Sequence, residues 1–301
     1  MKPIFETESG KLYNADAFDL MDLMIEKGIL ADMIFADPPY NIGKAEWDDF
    51  AQDEYLEWSR KWITKATEVL KESGSLFVMG FSEILADIKY LVTRDIKLFE
   101  SCRWLVWHYR NKPSLGRKDW VRSHESILHF RKGRDFTFNL DSIREPYNVH
   151  TLKYPVRSQG SSSQYGNRKA SLKQTYLWKP NEVGAKPRDV IILPAMCNPT
   201  RERMKHPTQK PEELLRKLVL VSTKEGNLVL DPFVGSGTTP VVCEQLRRRW
   251  IGSEISAKYC KVTIERLEHV PKDLPQEHWL EIDRKRETHR AKVRGQLMLL
   301  T

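Results

Sequence analysis

The chain has 301 residues, of which 40% are hydrophobic, and it carries a net charge of +8. This length and apolar content fit a domain with a substantial core, and they exclude a chain that is disordered throughout. No apolar run is long enough to span a membrane and the N-terminus lacks a signal-peptide apolar region, so we expect a cytoplasmic protein.

The first 130 residues alternate between predicted strands and helices. A short strand near residues 11–14 precedes a helix over residues 18–27 and a buried strand over residues 33–36. An apolar stripe at helical spacing then predicts a helix over residues 53–71, stopped by Ser73 and Gly74. The remaining predicted elements of this part are a strand at 76–79, a helix at 82–92, and strands at 104–108 and 127–130.

The alternation fails between about residues 131 and 206 and then resumes. The middle stretch contains prolines at positions 146, 155, 180, 187, 194 and 199, and a polar loop at 158–166 that we expect to be mobile. Beyond it, Pro211 opens an amphipathic helix, and strands at 228–230 and 250–253 alternate with helices at 238–248 and 258–267. The pattern predicts an α/β fold with a largely parallel sheet and an irregular insertion.

The positive charge is concentrated in the middle of the chain. Residues 1–100 carry a net charge of −9, residues 101–210 carry +14 and residues 211–301 carry +3. A basic block interleaved with aromatic side chains is typical of a polyanion-binding surface, because the rings can stack on bases. A basic face kept for solubility is the alternative, and the aromatic residues favour nucleic acid.

Two motifs each follow a predicted buried strand. The first is Asp37-Pro38-Pro39-Tyr40, and the second runs from Asp231 to Thr239 with the sequence DPFVGSGTT. Open α/β sheets bind ligands at loops that follow the carboxyl ends of their strands. Gly235 and Gly237 allow a tight turn with close approach of a ligand to the backbone. Glu254 ends the next predicted strand, where an acid typically accepts hydrogen bonds from ribose hydroxyls.

The first motif suits methylation of an exocyclic amino group on a base. Such a nitrogen is a poor nucleophile because its lone pair is delocalised into the ring. The Asp37 carboxylate can accept one N–H and the Pro38 carbonyl, held rigid by Pro39, can accept the other, which aims the lone pair at a methyl donor. Tyr40 is expected to stack on a base swung out of the duplex. Taken alone, the tetrapeptide could equally be an ordinary strand-end turn.

Together the two motifs resemble those of the β-group amino DNA methyltransferases, and the resemblance covers most of residues 10–268. It implies a Rossmann-like, mostly parallel sheet with helices on both faces, and S-adenosylmethionine as the cofactor. It also implies catalysis by Asp37, Pro38, Pro39 and Tyr40. In this family Asp-Pro-Pro-Tyr goes mainly with N6 of adenine and Ser-Pro-Pro-Tyr mainly with N4 of cytosine. The expected activity is therefore sequence-specific adenine N6-methylation of double-stranded DNA.

The same resemblance and the basic insertion assign binding residues. Lys210, within the hexapeptide at 206–211, is the natural partner of the cofactor's methionine carboxylate. Two of the assignments below have a structural alternative. Asp16 could cap the first helix rather than bind the cofactor, and His124 with Glu125 could be a polar pair at a strand start rather than part of the DNA site. The predicted cofactor-binding residues are Asp16, Ala17, Asp37, Thr208, Lys210, Asp231, Phe233, Gly235, Ser236, Gly237, Thr238 and Glu254, and the predicted DNA contacts are Asn111, Lys112, His124, Arg157, Arg168, Lys169 and Lys173.

We predict four parts of the chain and three partners. The parts are a catalytic part over 1–130, a target-recognition insertion over 131–205, a cofactor-binding part over 206–270 and a charged C-terminal tail over 271–301. Besides double-stranded DNA, the expected partners are a second copy of the chain and a cognate restriction endonuclease. The four cysteines are scattered without metal-ligand spacing, so we expect reduced thiols and no metal site.

Three alternatives stay open at this point. Two are enzymes, an N4-cytosine DNA methyltransferase and an RNA adenine methyltransferase. The third is a non-catalytic DNA-binding subunit that keeps the fold. Retention of Asp37, Tyr40 and Lys210 together with both loop glycines argues against a binding subunit, because such a module does not need a cofactor pocket.

Overall fold

The computed structural model describes residues 1–40, 52–111, 118, 120–160, 175–196, 202–204, 208–271 and 273–298. Within these residues the strands form a nine-stranded sheet and a separate two-stranded sheet. The strands are β1 (Phe5–Glu6), β2 (Gly10–Tyr13), β3 (Ala31–Ala36), β4 (Leu70–Gly80), β5 (Ser101–His108), β6 (His124–Arg131), β7 (Arg157–Gly160), β8 (Thr175–Trp178), β9 (Val190–Ile192), β10 (Leu228–Asp231) and β11 (Arg249–Ser253). The α-helices are α1 (Ala17–Glu26), α2 (Gln52–Glu68), α3 (Ser82–Tyr90), α4 (Val149–Lys153), α5 (Glu212–Ser222), α6 (Thr238–Gln245), α7 (Ala257–Glu268) and α8 (Gln276–Met298).

The large sheet has the strand order β1-β2-β11-β10-β3-β4-β6-β5-β9. The strands from β2 to β4 in this order pair in parallel, and β9 pairs in parallel with β5. The pairs of β1 with β2 and of β6 with both β4 and β5 are antiparallel. The mostly parallel α/β sheet predicted from the sequence is therefore confirmed.

Strands β3 and β10 lie side by side at the centre of the sheet. From β3 the chain crosses over to β4 on one side, and from β10 it crosses over to β11 on the other. Such a point, where the direction of the crossovers reverses, leaves a crevice outside the carboxyl ends of the two strands. This is where open α/β sheets bind their ligands.

The main hydrophobic core lies between the sheet and the first three helices. Leu20 of α1, Trp62 of α2 and Leu85 of α3 are fully buried, and they pack in one cluster with Ile34 of β3 and Leu76 of β4. Burial of a large apolar side chain stabilises the fold by about 1.5–3 kcal/mol. This cluster therefore fixes α1, α2 and α3 against β4 and against β3, the strand that the first motif follows.

The helices predicted over residues 53–71 and 238–248 both end three residues earlier than expected, at Glu68 and Gln245. Helix α2 stops at Glu68 and strand β4 already starts at Leu70, so the predicted stop at Ser73 and Gly74 is wrong. The Ala31 N–H donates to the Val69 carbonyl at 2.7 Å, and Leu70 pairs with Ala31 in the sheet. Pairing with β3 therefore draws the backbone out of the helix, although the apolar stripe continues.

The chain divides into two compact units. The first comprises Met1–Asn139 and Arg188–His278, and the second comprises Leu140–Pro187 and Trp279–Thr301. In the second unit β7 pairs antiparallel with β8. Residues 158–160, predicted as part of a mobile loop, thus lie in a strand, and residues 161–166 of that loop lie outside the described residues. The C-terminal tail, for which no structure was predicted, contains the 23-residue helix α8.

Candidate active site

Both sequence motifs lie at the carboxyl edge of the central strands. Asp37 directly follows β3 and Asp231 ends β10, and the two strands pair with Leu230 opposite Ile34. Strand β6 runs antiparallel to β4, so its first residues, including Glu125, reach the same edge. Elements that are distant in sequence are thereby brought together at the crevice between β3 and β10.

Four side chains at this edge form one polar cluster, made of Asp37, Tyr40, Glu125 and Lys210. The Tyr40 hydroxyl donates to Asp37 Oδ1 at 2.5 Å and to Glu125 Oε2 at 3.2 Å. Lys210 Nζ lies 2.7 Å from Asp37 Oδ2 and 3.6 Å from Glu125 Oε2. The side chains of Lys210 and Glu125 are only 6% and 10% exposed. Two carboxylates thus share one buried ammonium group and one phenol.

Electrostatics fix the protonation of the two donors in this four-residue cluster. Burial alone would lower the pKa of Lys210, but attraction to Asp37 and Glu125 outweighs it and raises that pKa. Burial and the same two carboxylates also raise the pKa of Tyr40. Lys210 is therefore a cation and Tyr40 a neutral phenol at physiological pH. A carboxylate offers about four lone-pair sites, so Asp37 can still accept a hydrogen bond from a ligand.

Neighbouring elements hold the first motif in place. The Tyr40 ring is 8% exposed and meets the Phe81 ring edge-on, with 4.9 Å between the centroids. Tyr55 of α2 donates its hydroxyl hydrogen to the Pro39 carbonyl at 2.7 Å. Such packing fixes both the ring and the backbone of the tetrapeptide. The stacking of Tyr40 on a base stays a prediction.

The second motif forms a tight turn between β10 and α6. Gly235 and Gly237 have φ angles of 54° and 81°, in the left-handed region that favours glycine. A Cβ atom on Gly237 would lie 2.8 Å from Thr263 Oγ1, and the Thr263 hydroxyl donates to the Gly235 carbonyl at 3.2 Å. Both the backbone path and the close packing of α7 therefore require glycine in this loop.

A buried ionic network supports the glycine loop. Arg266 Nη1 donates to the Ser236 carbonyl at 2.8 Å and to Thr238 Oγ1 at 3.0 Å, and Arg266 Nη2 lies 2.8 Å from Glu212 Oε1. Glu212 Oε2 in turn accepts from Arg216 at 3.2 Å and from Gln245 at 2.8 Å. Buried charges are tolerated when they are paired and hydrogen-bonded in this way. The network anchors the loop to α5 and α7.

Glu254 connects the glycine loop to the end of β11. Its Oε2 accepts the Gly235 N–H at 2.9 Å, its Oε1 accepts the Ser256 N–H at 2.8 Å, and burial raises its pKa. Asn14, just after β2, donates to the backbone carbonyls of Glu254 and Ile255 at 2.8 and 2.9 Å. Each Glu254 oxygen retains a lone pair for a further donor. The predicted ribose acceptor thus lies beside the turn of the second motif.

The remaining predicted cofactor residues have identifiable structural contacts. Asp16 caps α1 by accepting the Phe18 N–H at 2.7 Å, and Ala17 is the buried first residue of that helix. The Thr208 carbonyl accepts from Lys210 Nζ at 3.1 Å. Thr238 Oγ1 donates to the Lys210 carbonyl at 3.1 Å, which links the lysine to the glycine loop. Capping is therefore observed for Asp16, and the cofactor role of these residues stays a prediction.

Three of the seven predicted DNA contacts lie in the described part of the chain. The Asn111 side chain exchanges two hydrogen bonds with the Ala195 backbone, at 2.7 and 2.8 Å, and His124 Nε2 lies 3.0 Å from Ser82 Oγ. The Arg157 guanidinium lies over the Trp178 ring, 4.7 Å from its centroid. A role in DNA binding stays a prediction for all seven. Lys112, Arg168, Lys169 and Lys173 lie outside the described residues.

Several other kinds of site are not found in the described part of the chain. No group of histidine, cysteine, aspartate and glutamate residues there is arranged to hold a metal ion. Cys102, Cys243 and Cys260 are unpaired thiols, and burial raises the pKa of each. None of the described helices combines the length and the apolar character that crossing a bilayer requires.

Asp231 makes the stability of the protein depend on pH. Burial raises its pKa to about 7, against hydrogen bonds from Thr239 and from the Phe233 N–H. The folded protein therefore keeps a proton that the unfolded chain releases near pH 4, and stability falls as pH rises from about 4 to about 7. We expect Asp231→Asn to remove this loss, which amounts to about 3 kcal/mol between about pH 5 and about pH 8.

Urea denaturation of both proteins at the two pH values measures this effect. The exposed Asp19→Asn on α1 is the matched control, because it makes the same chemical change outside the core. If Asp231→Asn and the wild type lose the same stability over this range, the buried carboxyl does not hold a proton.

The chain is similar to proteins of one known family. A family profile described as DNA methylase, of the N6/N4 type, matches residues 31–265. The Type II methyltransferase M1.MboII of Moraxella bovis is 30% identical over 259 residues, which cover 84% of this chain and 94% of that protein. The DNA adenine methyltransferase YhdJ of Escherichia coli (strain K12) is 31% identical over 269 residues, which cover 88% of this chain and 84% of that protein.

Two solved structures share the fold. A crystal structure of an M1.HpyAVI–SAM complex has a TM-score of 0.57 at 23% identity and covers 86% of this chain and 98% of its own. The PvuII DNA methyltransferase, described as cytosine-N4-specific, has a TM-score of 0.64 at 17% identity and covers 95% of both chains. The predicted Rossmann-like fold is therefore confirmed.

Proposed function

This chain belongs to the N6/N4 family of DNA methylases, and we propose that it transfers a methyl group to N6 of adenine in double-stranded DNA. The observation that carries the proposal is the position of the Asp37 carboxylate. It lies at the carboxyl edge of the sheet, held by Lys210 and Tyr40, in the crevice that also contains the glycine loop. An acceptor of this kind is what an exocyclic amino group needs for activation.

The cofactor of this reaction is S-adenosylmethionine, and the residues of the crevice fit it. Gly235 and Gly237 bring the backbone of the loop close to a ligand, Glu254 has lone pairs free for ribose hydroxyls, and Lys210 and Thr208 are candidates for the methionine carboxylate. When bound, this cofactor supplies an electrophilic methyl group on a sulfonium centre. The protein's part is to orient the acceptor nitrogen.

Asp37 and Pro38 orient that nitrogen. The Asp37 carboxylate accepts one N–H of the adenine amino group, and the Pro38 carbonyl accepts the other. With both hydrogens held, the lone pair is drawn out of conjugation and points at the methyl donor, so positioning supplies most of the rate enhancement. The adenine reaches this site only after it has been flipped out of the duplex.

Lys210, Tyr40 and Glu125 prepare the aspartate for this role. Lys210 pairs with one oxygen of the Asp37 carboxylate, and the Tyr40 hydroxyl fixes the rotation of the carboxylate through a hydrogen bond to the other oxygen. Glu125 accepts from the same phenol and lies near the same ammonium group. The cluster thus presents a preorganised acceptor, which costs no rearrangement when the base arrives.

The choice of adenine rests on Asp37 and on a relative. In the β-group amino DNA methyltransferases, which this chain resembles, the tetrapeptide Asp-Pro-Pro-Tyr is found mainly in enzymes that methylate adenine. The relative YhdJ is named as an adenine methyltransferase. N4 of cytosine is the second candidate, because the cytosine-N4-specific PvuII enzyme shares the fold over 95% of this chain. We also propose two protein partners, a restriction endonuclease of the same sequence specificity and a second copy of the chain. The Type II name of the relative M1.MboII is consistent with the first.

Methyl transfer from labelled S-adenosylmethionine to unmodified genomic DNA, followed by nucleoside analysis, tests the proposal. We expect labelled N6-methyladenine in the DNA. Labelled N4-methylcytosine would show that the target base is cytosine and would leave the proposed mechanism unchanged. Transfer to RNA alone would identify the RNA methyltransferase alternative, and no transfer to either nucleic acid would favour the non-catalytic subunit.

A further inference from the structure

The net charge of the chain resides in its second compact unit. Leu140–Pro187 and Trp279–Thr301 together contain 14 lysine and arginine residues against 6 aspartate and glutamate residues, a net charge of +8. This equals the net charge of the whole chain, so the first unit is neutral overall. A count along the sequence could not reveal this partition, because the second unit is assembled from two distant segments.

The C-terminal helix α8 contains 6 basic and 4 acidic residues, all of which except Glu277 lie in that unit. Its side chains divide by burial into two faces with helical spacing. The half-buried side chains are those of Gln276, Trp279, Leu280, Ile282, Asp283, Glu287 and Arg290. The exposed face carries Glu277, His278, Glu281, Arg284, Lys285, Arg286, Thr288, His289, Lys292 and Val293.

The exposed face of α8 is basic. Arg284, Lys285 and Lys292 all project from it, together with the two acids Glu277 and Glu281. Glu281 lies 2.7 Å from Lys285, with side chains 62% and 75% exposed, so the pair is a weak surface contact that a phosphate can replace. A rise of 1.5 Å per residue places Arg284 and Lys292 about 12 Å apart along the axis, comparable with three to four nucleotide steps.

We propose that the exposed basic face of α8 binds the phosphate backbone of double-stranded DNA. The inference rests on the proposed function, which supplies the duplex. Contacts to phosphates give affinity and carry no sequence information. The face therefore strengthens binding to any duplex, and the choice of target lies elsewhere.

The combined variant Arg284→Gln, Lys285→Gln and Lys292→Gln tests this. We expect its affinity for a random-sequence duplex to fall about tenfold, and the slope of log affinity against log salt to become less steep by up to about 3. The matched control removes three exposed lysines from the first unit, as Lys27→Gln, Lys61→Gln and Lys224→Gln. Its slope should stay at the wild-type value.

Calorimetric titration with S-adenosylmethionine tests whether each variant is folded. If the triple variant does not fold, Lys292→Gln alone should make the slope of log affinity against log salt less steep by about 1. An unchanged slope in the α8 variants, or an equal change in the control, overturns the inference while duplex methylation continues. A wild-type protein that neither binds nor methylates duplex DNA would overturn the proposed function, and this inference with it.

Discussion

Replacing Asp37 with alanine is expected to lower methyl transfer by about 1,000-fold or more, while duplex DNA binding is retained. The carboxylate is the acceptor that orients the amino group, and no other described side chain of the cluster can take its place. Tyr40 and Lys210 are donors, and the Glu125 carboxylate is engaged with both, at 3.2 Å from the Tyr40 hydroxyl and 3.6 Å from Lys210 Nζ. Single-turnover methylation of unmodified genomic DNA, with duplex affinity measured in parallel, separates the two effects.

The variant should remain folded because Lys210 keeps a carboxylate partner, with Glu125 Oε2 at 3.6 Å. Asp87→Ala, an exposed aspartate on α3, is the matched control and should methylate at the wild-type rate. Turnover by Asp37→Ala within tenfold of the wild type would remove Asp37 from the catalytic role and leave the first motif as a structural turn.

Local sequence patterns predicted most of the first unit because its strands are apolar runs and its helices carry one apolar stripe. Residues 33–36 and 228–230 lie within β3 and β10, and the helix predicted over residues 18–27 is α1. Helix α2 shows where this reasoning fails. Its apolar stripe runs past Glu68, but the sheet pairing of Leu70 with Ala31 is a contact between distant residues that no local pattern contains.

The site was predicted in part for a similar reason. Asp37 and the loop glycines stand in short motifs, whereas Glu125 and Arg266 acquire their partners only through folding. In the sequence, Glu125 is an ordinary residue at the start of a strand, and Arg266 is one of many charged residues on a helix. Their contacts with Tyr40 and Lys210, and with the glycine loop, are visible only in the folded protein. A usable signal did exist for the network under the glycine loop, because Glu212 and Arg216 have the i,i+4 spacing of an ion pair.

Lys210 combines two tasks that the structure allows to be separated. It neutralises Asp37 and Glu125 in a buried cluster, and we propose that it also binds the methionine carboxylate of the cofactor. In the structure Lys210 pairs with Asp37, whereas the sequence analysis predicted only the methionine carboxylate of the cofactor as its partner. Removing the lysine therefore leaves two neighbouring carboxylates in a buried site without their cation, which is costly.

Lys210→Met is accordingly expected to lower the free energy of unfolding by about 3–5 kcal/mol and methyl transfer by about 100-fold or more. Adding Glu125→Gln should recover part of the stability, because it removes the second carboxylate, but cofactor affinity should stay weak if Lys210 binds the methionine carboxylate. Urea denaturation and calorimetric titration with S-adenosylmethionine measure the two effects, with the exposed Lys61→Met as control. Normal stability in Lys210→Met would show that the cluster does not need its cation. Normal cofactor affinity in the double variant would assign Lys210 to the aspartate alone.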